Sequence, residues 1–99
     1  MKNYKIMKTK KFNKQLEKIP LDIKKRFEKQ LERVAEDPYN IGKPLGFKWF
    51  RELKNNMYRL YYLIYEEEVV VLLVGVSNKR MQQEYINKIR YKLKSLRKK

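Results

Sequence analysis

Tyr58-Arg59-Leu60-Tyr61-Tyr62-Leu63-Ile64-Tyr65, the acidic Glu66-Glu67-Glu68 and Val69-Val70-Val71-Leu72-Leu73-Val74-Gly75-Val76-Ser77 together decide the fold. The two outer segments are rich in β-branched and aromatic residues, and the glutamates between them favour solvent, so the stretch reads as a β-hairpin. The second segment is apolar on both faces, which predicts a central strand covered on each side. Just upstream, Trp49 to Lys54 is a further strand-like run. Asn55-Asn56 can close a two-residue turn to Tyr58, because asparagine tolerates left-handed backbone. Tyr39 to Phe47 holds Gly42, Pro44 and Gly46 and reads as a connecting loop.

Outward from this core, the spacing predicts helices. Phe12, Leu16 and Ile19 recur at helical intervals after Thr9, a candidate N-cap, and Pro20 ends that segment. Ile23, Phe27, Leu31, Val34 and Ala35 line one face of a second helix that Asp37-Pro38 stops. Tyr4 and Ile6 suggest a short first strand, and Ile86, Ile89, Leu93 and Leu96 mark a last helix from about Met81. The expected order is strand, helix, helix, three strands, helix, in one domain over residues 1–99. That is a small α+β fold: a twisted, mostly antiparallel sheet carrying an N-terminal helical hairpin and a C-terminal helix.

Composition narrows the chemistry. The chain has 26 Lys+Arg against 11 Asp+Glu, a net charge of +15, with no histidine and no cysteine. Metal sites built on thiolate or imidazole, disulfides, Ser-His-Asp triads and Cys nucleophiles are thereby excluded, and no cofactor is expected. Catalysis here must use Lys, Arg, Tyr or a carboxylate. The apolar run Val69 to Val76 is far shorter than the roughly 20 residues of a membrane-spanning helix. No apolar stretch follows the basic N-terminus, so a cytoplasmic protein without a secretory signal is expected. A field of this sign favours anionic partners, namely nucleic acid, an acidic protein or an anionic membrane surface, though a lysine-rich surface also arises from genomic composition.

If Asn55 and Asn56 form the turn, Glu52 opposes Arg59, and Glu52, Lys54 and Arg59 share a face. If the glutamates form the second turn, Arg59 opposes Gly75, with Ser77 and Lys79 further along the same side. Lys48, Glu52, Lys54, Arg59, Ser77, Lys79 and Arg80 then cluster on one concave face. Arg59 is the most unusual of them, since a guanidinium inside an apolar, aromatic strand is costly without a partner. An ion pair with Glu52 is one account of it, and a phosphate site is another. Tyr85 is either a packed aromatic at the sheet edge or a base-stacking ring. Lys88, Arg90, Lys92, Lys94, Arg97, Lys98 and Lys99 suit either a phosphate-facing helix end or a solvated tail.

Phe50-Arg51-Glu52-Leu53, Tyr58-Arg59-Leu60-Tyr61-Tyr62, Glu68 to Val76, Lys79-Arg80 and Tyr85 resemble the RelE/ParE superfamily of type II toxin–antitoxin toxins. The resemblance spans essentially the whole chain. Its RelE branch implies an endoribonuclease that enters the ribosomal A site and cuts mRNA by attack of the 2′-hydroxyl on the adjacent phosphate. An acidic antitoxin would silence it, and mRNA and ribosomal RNA on the ribosome would be its other partners. Arg59 matches the family's strand arginine, Tyr85 its C-terminal tyrosine, and Lys79 or Arg80 a basic position after the last strand.

Where the branch often carries two lysines before the hairpin, this chain has Phe50 and Glu52. Lys48, Arg51 and Lys54 stand nearby as RNA-contacting candidates with Ser77, Lys88 and Arg90. Some relatives use a glutamate as base, which makes Glu52 a candidate for that role. An arginine does not give up its proton readily, so Arg59 would act electrostatically. A ParE-like gyrase inhibitor without nuclease chemistry is the alternative, as is a relative that only binds RNA or a partner.

Overall fold

The computed structural model describes residues 3–96; Arg97, Lys98 and Lys99 of the basic tail lie outside them. The elements are β1 (Lys5–Lys8), α1 (Lys10–Leu16), α2 (Leu21–Glu36), β2 (Lys43–Phe47), β3 (Phe50–Asn55), β4 (Tyr58–Tyr65), β5 (Val70–Asn78) and α3 (Gln82–Leu96), with a short 3-10 turn at Lys79–Met81. One sheet in the order β1-β5-β4-β3-β2 joins all five strands, parallel only between β1 and β5. The expected α+β architecture is what the chain adopts. Among the described residues, no helix is long and apolar enough to cross a membrane.

Local chemistry sets the boundaries. Thr9 Oγ1 accepts from Phe12 N at 3.0 Å and starts α1. The Pro20 carbonyl accepts from Ile23 N and Lys24 N as α2 begins. Asn78 Oδ1 accepts from Met81 N at 3.0 Å and caps the turn into α3.

Two expectations are corrected. The stretch read as a loop holds β2, an edge strand that admits Pro44 and interrupts its pairing with β3 between Pro44 and Phe47, where Gly46 lies at φ +94°. The first hairpin turns at Asn56-Met57 rather than Asn55-Asn56. Asn56 alone of these takes the left-handed conformation, while Asn55 stays in the strand opposite Tyr58 and donates to Gln30 Oε1 at 2.6 Å. β5 is an interior strand, as expected, with β4 on one side and β1 along its first half on the other.

The sheet separates two cores. On one face Phe12 of α1 and Ile23, Phe27 and Val34 of α2 pack on Leu53, Leu60, Tyr62, Ile64, Val71, Leu73 and Val76. On the other, Tyr85, Ile86, Ile89 and Leu93 of α3 pack on Leu45, Phe50, Tyr61 and Leu63. An irregularity between Tyr61 and Tyr62 shifts the β4–β5 register by one residue, from Tyr62↔Leu73 to Tyr61↔Gly75. That bulge turns Gly75 and Ser77 toward the α3 face.

Candidate active site

Two rows of residues cross the sheet on the α3 face. Lys54, Arg59 and Ser77 are direct partners on β3, β4 and β5, and Glu52, Tyr61 and Gly75 form the row behind them. Because strand residues two apart share a face, all six belong to one surface. α3 begins beyond its end, and the backbone of Lys79 donates to the Met57 carbonyl at 2.7 Å, tying the 3-10 turn to the β3–β4 turn.

Arg59 is only 4% exposed, and its Nη1 donates to the carbonyls of Asn56 and Tyr58, both at 3.1 Å. The turn thus holds one arm of the guanidinium. Glu52 is 5% exposed, and its two carboxylate oxygens accept from Gln82 Nε2 at 2.9 and 3.0 Å. Buried charges persist only where donors and acceptors are supplied, and here the helix start and the turn supply them.

Tyr61 lies between these groups. Its hydroxyl is 2.8 Å from Ser77 Oγ. Burial pushes the phenol up to about 12; the Ser77 bond and Arg59 oppose that rise, and Glu52 adds to it. Tyr85 meets Tyr61 edge to face, with centroids 5.3 Å apart. A Cβ on Gly75 would lie 2.7 and 2.8 Å from Cε2 and Cζ of Tyr85, so the glycine makes room for that ring. Burial also raises the Tyr85 phenol, against a bond to Gln15 that lowers it.

Ser77 also lines a neighbouring cleft of about 500 Å³ between α1 and the start of α3, rimmed by Lys11, Lys18 and Lys88. Lys11 Nζ stands 5.6 Å from the Tyr85 ring centroid. Partial burial, then the Lys92 and Lys88 ammoniums, hold the Lys11 ammonium below the ordinary lysine range.

The family model for the ParE toxin of type II toxin–antitoxin systems matches residues 6–83. The chain belongs to this toxin family. Solved structures agree on the wider RelE/ParE superfamily. A chain of the intact E. coli RelBE toxin–antitoxin complex is 26% identical, at a TM-score of 0.69, over 76% of this chain and 95% of that one. A chain of the Mycobacterium tuberculosis RelBE2 complex is 25% identical, at 0.68, over 79% and 93%. A free mutant form of E. coli RelE shares the fold at 0.74, with 22% identity over 87% and 92%. No curated protein sequence matches the chain.

In this toxin Glu52, Lys54, Arg59 and Ser77 come together on one face. The direct opposition differs from expectation: Arg59 faces Lys54 and Ser77, while Glu52 faces Tyr61. Lys79 and Arg80 are exposed in the 3-10 turn beside this end of the sheet, and Lys88 is at the adjoining cleft.

Three expected residues are not brought here. Arg51 lies on the opposite face of β3, where its guanidinium donates to the carbonyls of Ile41, Gly42 and Lys48 and secures the loop before β2. Lys48 is in the β2–β3 turn at the far end of the sheet. Arg90 donates from Nη2 to the Leu45 carbonyl at 3.1 Å, also at that end.

Tyr85 is 9% exposed, the packed aromatic of the two alternatives. Sequence reasoning missed Gln82 and the Tyr61–Ser77 pair. Gln82 is a polar residue at a helix start and carries no periodic signal, whereas Tyr61 was legible as the residue two positions from Arg59.

Proposed function

We propose that this toxin is a ribosome-dependent mRNA endoribonuclease, acting in the cytoplasm and silenced by a cognate acidic antitoxin. The observation that carries the reading is a buried Arg59 guanidinium and a buried Glu52 carboxylate, the latter oriented by Gln82, on the same face of the sheet as the exposed Lys54. The complexes among the similar structures are toxin–antitoxin assemblies, which supports the antitoxin as partner.

The chemistry follows from charge. Glu52 accepts the 2′-hydroxyl proton, O2′ attacks phosphorus, and the bond to the 5′ oxygen breaks, leaving a cyclic phosphate and a 5′-hydroxyl. Arg59 stabilises the negative charge that builds on the phosphoryl oxygens, as a preorganised cation in a dry site does. The leaving oxygen takes its proton from the ammonium rim, where Lys54, the cross-strand partner of Arg59, and Lys79 of the 3-10 turn are the candidates. Tyr61 retains its proton at neutral pH and positions Ser77. Tyr85 supports Tyr61 from beneath and does not stack on a base. Lys88 and Lys11 guide the RNA strand along the adjoining cleft.

Primer extension on a defined mRNA in a programmed ribosome tests this. A break in the A-site codon is expected, and Arg59→Ala should lower its rate by about 100- to 1000-fold. The ParE family match favours one other reading, inhibition of DNA gyrase without cleavage. Intact mRNA together with lost gyrase supercoiling would select it.

A further inference from the structure

At the far end of the sheet, away from Arg59, Phe47 of β2 and Trp49 of the β2–β3 turn are stacked with ring centroids 4.5 Å apart and planes 15° from parallel. Phe47 remains 46% exposed. Beside the pair is a cleft of about 390 Å³ lined by Gly46, Phe47, Trp49, Arg90, Leu93 and Lys94. Arg90 is fixed there by its bond to the Leu45 carbonyl. Gly46 is what lets it lie across β2, since a Cβ at that position would stand 2.6 Å from Arg90 Nη2. Lys48, between the two aromatics in sequence, and Lys94 on α3 are exposed.

A pre-stacked aromatic pair, exposed on its Phe47 side and anchored by half-buried Trp49, with a pinned guanidinium and flanking ammoniums matches the chemistry of an unpaired nucleotide. Phe47 offers a flat apolar face to a base, and the cations meet the phosphates on either side. We propose that the Phe47–Trp49 shelf with Arg90, Lys48 and Lys94 is a second RNA-binding site that holds one unpaired base of a single-stranded segment. The net charge of +15 supplies the attraction for the backbone, and the shelf supplies base dependence that charge alone cannot. The site is separate from Glu52 and Arg59 and does not depend on cleavage.

Trp49 is the single tryptophan of the chain and reports the site directly. Titration with a short adenosine oligoribonucleotide should quench its emission to saturation. An abasic oligomer of the same length should bind about tenfold more weakly and without quenching, the loss expected for one stacking contact. Phe47→Leu, a change at an exposed position, should reduce RNA affinity to the abasic level. Equal binding of the two oligomers, or undiminished affinity in Phe47→Leu, overturns the proposal and leaves phosphate attraction alone. Absence of quenching with a Phe47-dependent increase in sedimentation coefficient at high protein concentration overturns it in favour of contact between two copies. A chain that leaves ribosomal mRNA intact but retains base-dependent quenching keeps this site while refuting the nuclease.

Discussion

The two faces of the sheet are built for different ends. The α1–α2 face closes completely: Phe12, Phe27, Val34, Leu60, Ile64, Val71 and Leu73 are each at most 1% exposed. The α3 face closes over Phe50, Tyr61 and Leu63 but turns polar at one end, where Lys54 is exposed, Ser77 half-buried, and Glu52 and Arg59 are buried charges. A small chain has little core to spare, so stability is concentrated where no chemistry is required. The polar end of the second face then tolerates two buried charges because the rest of the sheet is anchored from behind.

The largest effect that tests this division is Phe27→Ala, which should cost about 3–5 kcal/mol through a cavity on the closed face, measured by urea unfolding. Loss of under about 1 kcal/mol would mean the closed face is not where stability resides. Arg59→Ala on the open face should lower ribosomal cleavage by about 100- to 1000-fold, comparable to removing one transition-state donor, with its melting temperature read alongside. Gly75→Ala comes next: the added methyl meets the Tyr85 ring and should cost about 1–3 kcal/mol, less in a Tyr85→Ala background, where the obstacle is gone.

A smaller effect is a pH dependence. The Tyr61 proton is held up to about 12 in the folded chain against about 10 in an unfolded one. Its contribution is fully present below about pH 10 and is lost as the pH rises toward 12, since the unfolded phenol ionises first. The stability difference between wild type and Tyr61→Phe, followed by urea unfolding from pH 9 to 12, should shrink or reverse over that interval. A constant difference would show that the phenol is not shielded.

The faces of the central strands were legible in the sequence although their pairing was not. The first turn lies one residue later than Asn55-Asn56 suggests, which shifts every cross-strand partner by two positions and keeps each side chain on its face. The second hairpin begins one residue later than expected, with Val70 opposite Tyr65, and that slip alone would have turned Ser77 away from Arg59. The bulge after Leu73 restores it. β2 was hidden because Pro44 and Gly46 are turn residues wherever no neighbouring strand overrides them. Arg51 and Glu52 are adjacent in sequence but on opposite faces; burial among loop carbonyls, which nothing in the sequence announces, makes the first a structural clamp. Leu72 reads as core from its run but is half-buried, with Leu73 facing the closed side.

Gln82 gives the finest test of the open face. Its amide is the donor to both oxygens of a carboxylate that is 5% exposed, so Gln82→Leu leaves that carboxylate buried without it. The variant should therefore be less stable than wild type by about 1–3 kcal/mol, by thermal or urea unfolding. A Glu52→Gln background, in which no charge is buried, should shrink that deficit, whereas a helix that merely lost a packing contact would keep it. In the cleavage assay Gln82→Leu should lower the rate, and an unchanged rate would leave Glu52 oriented by the sheet alone.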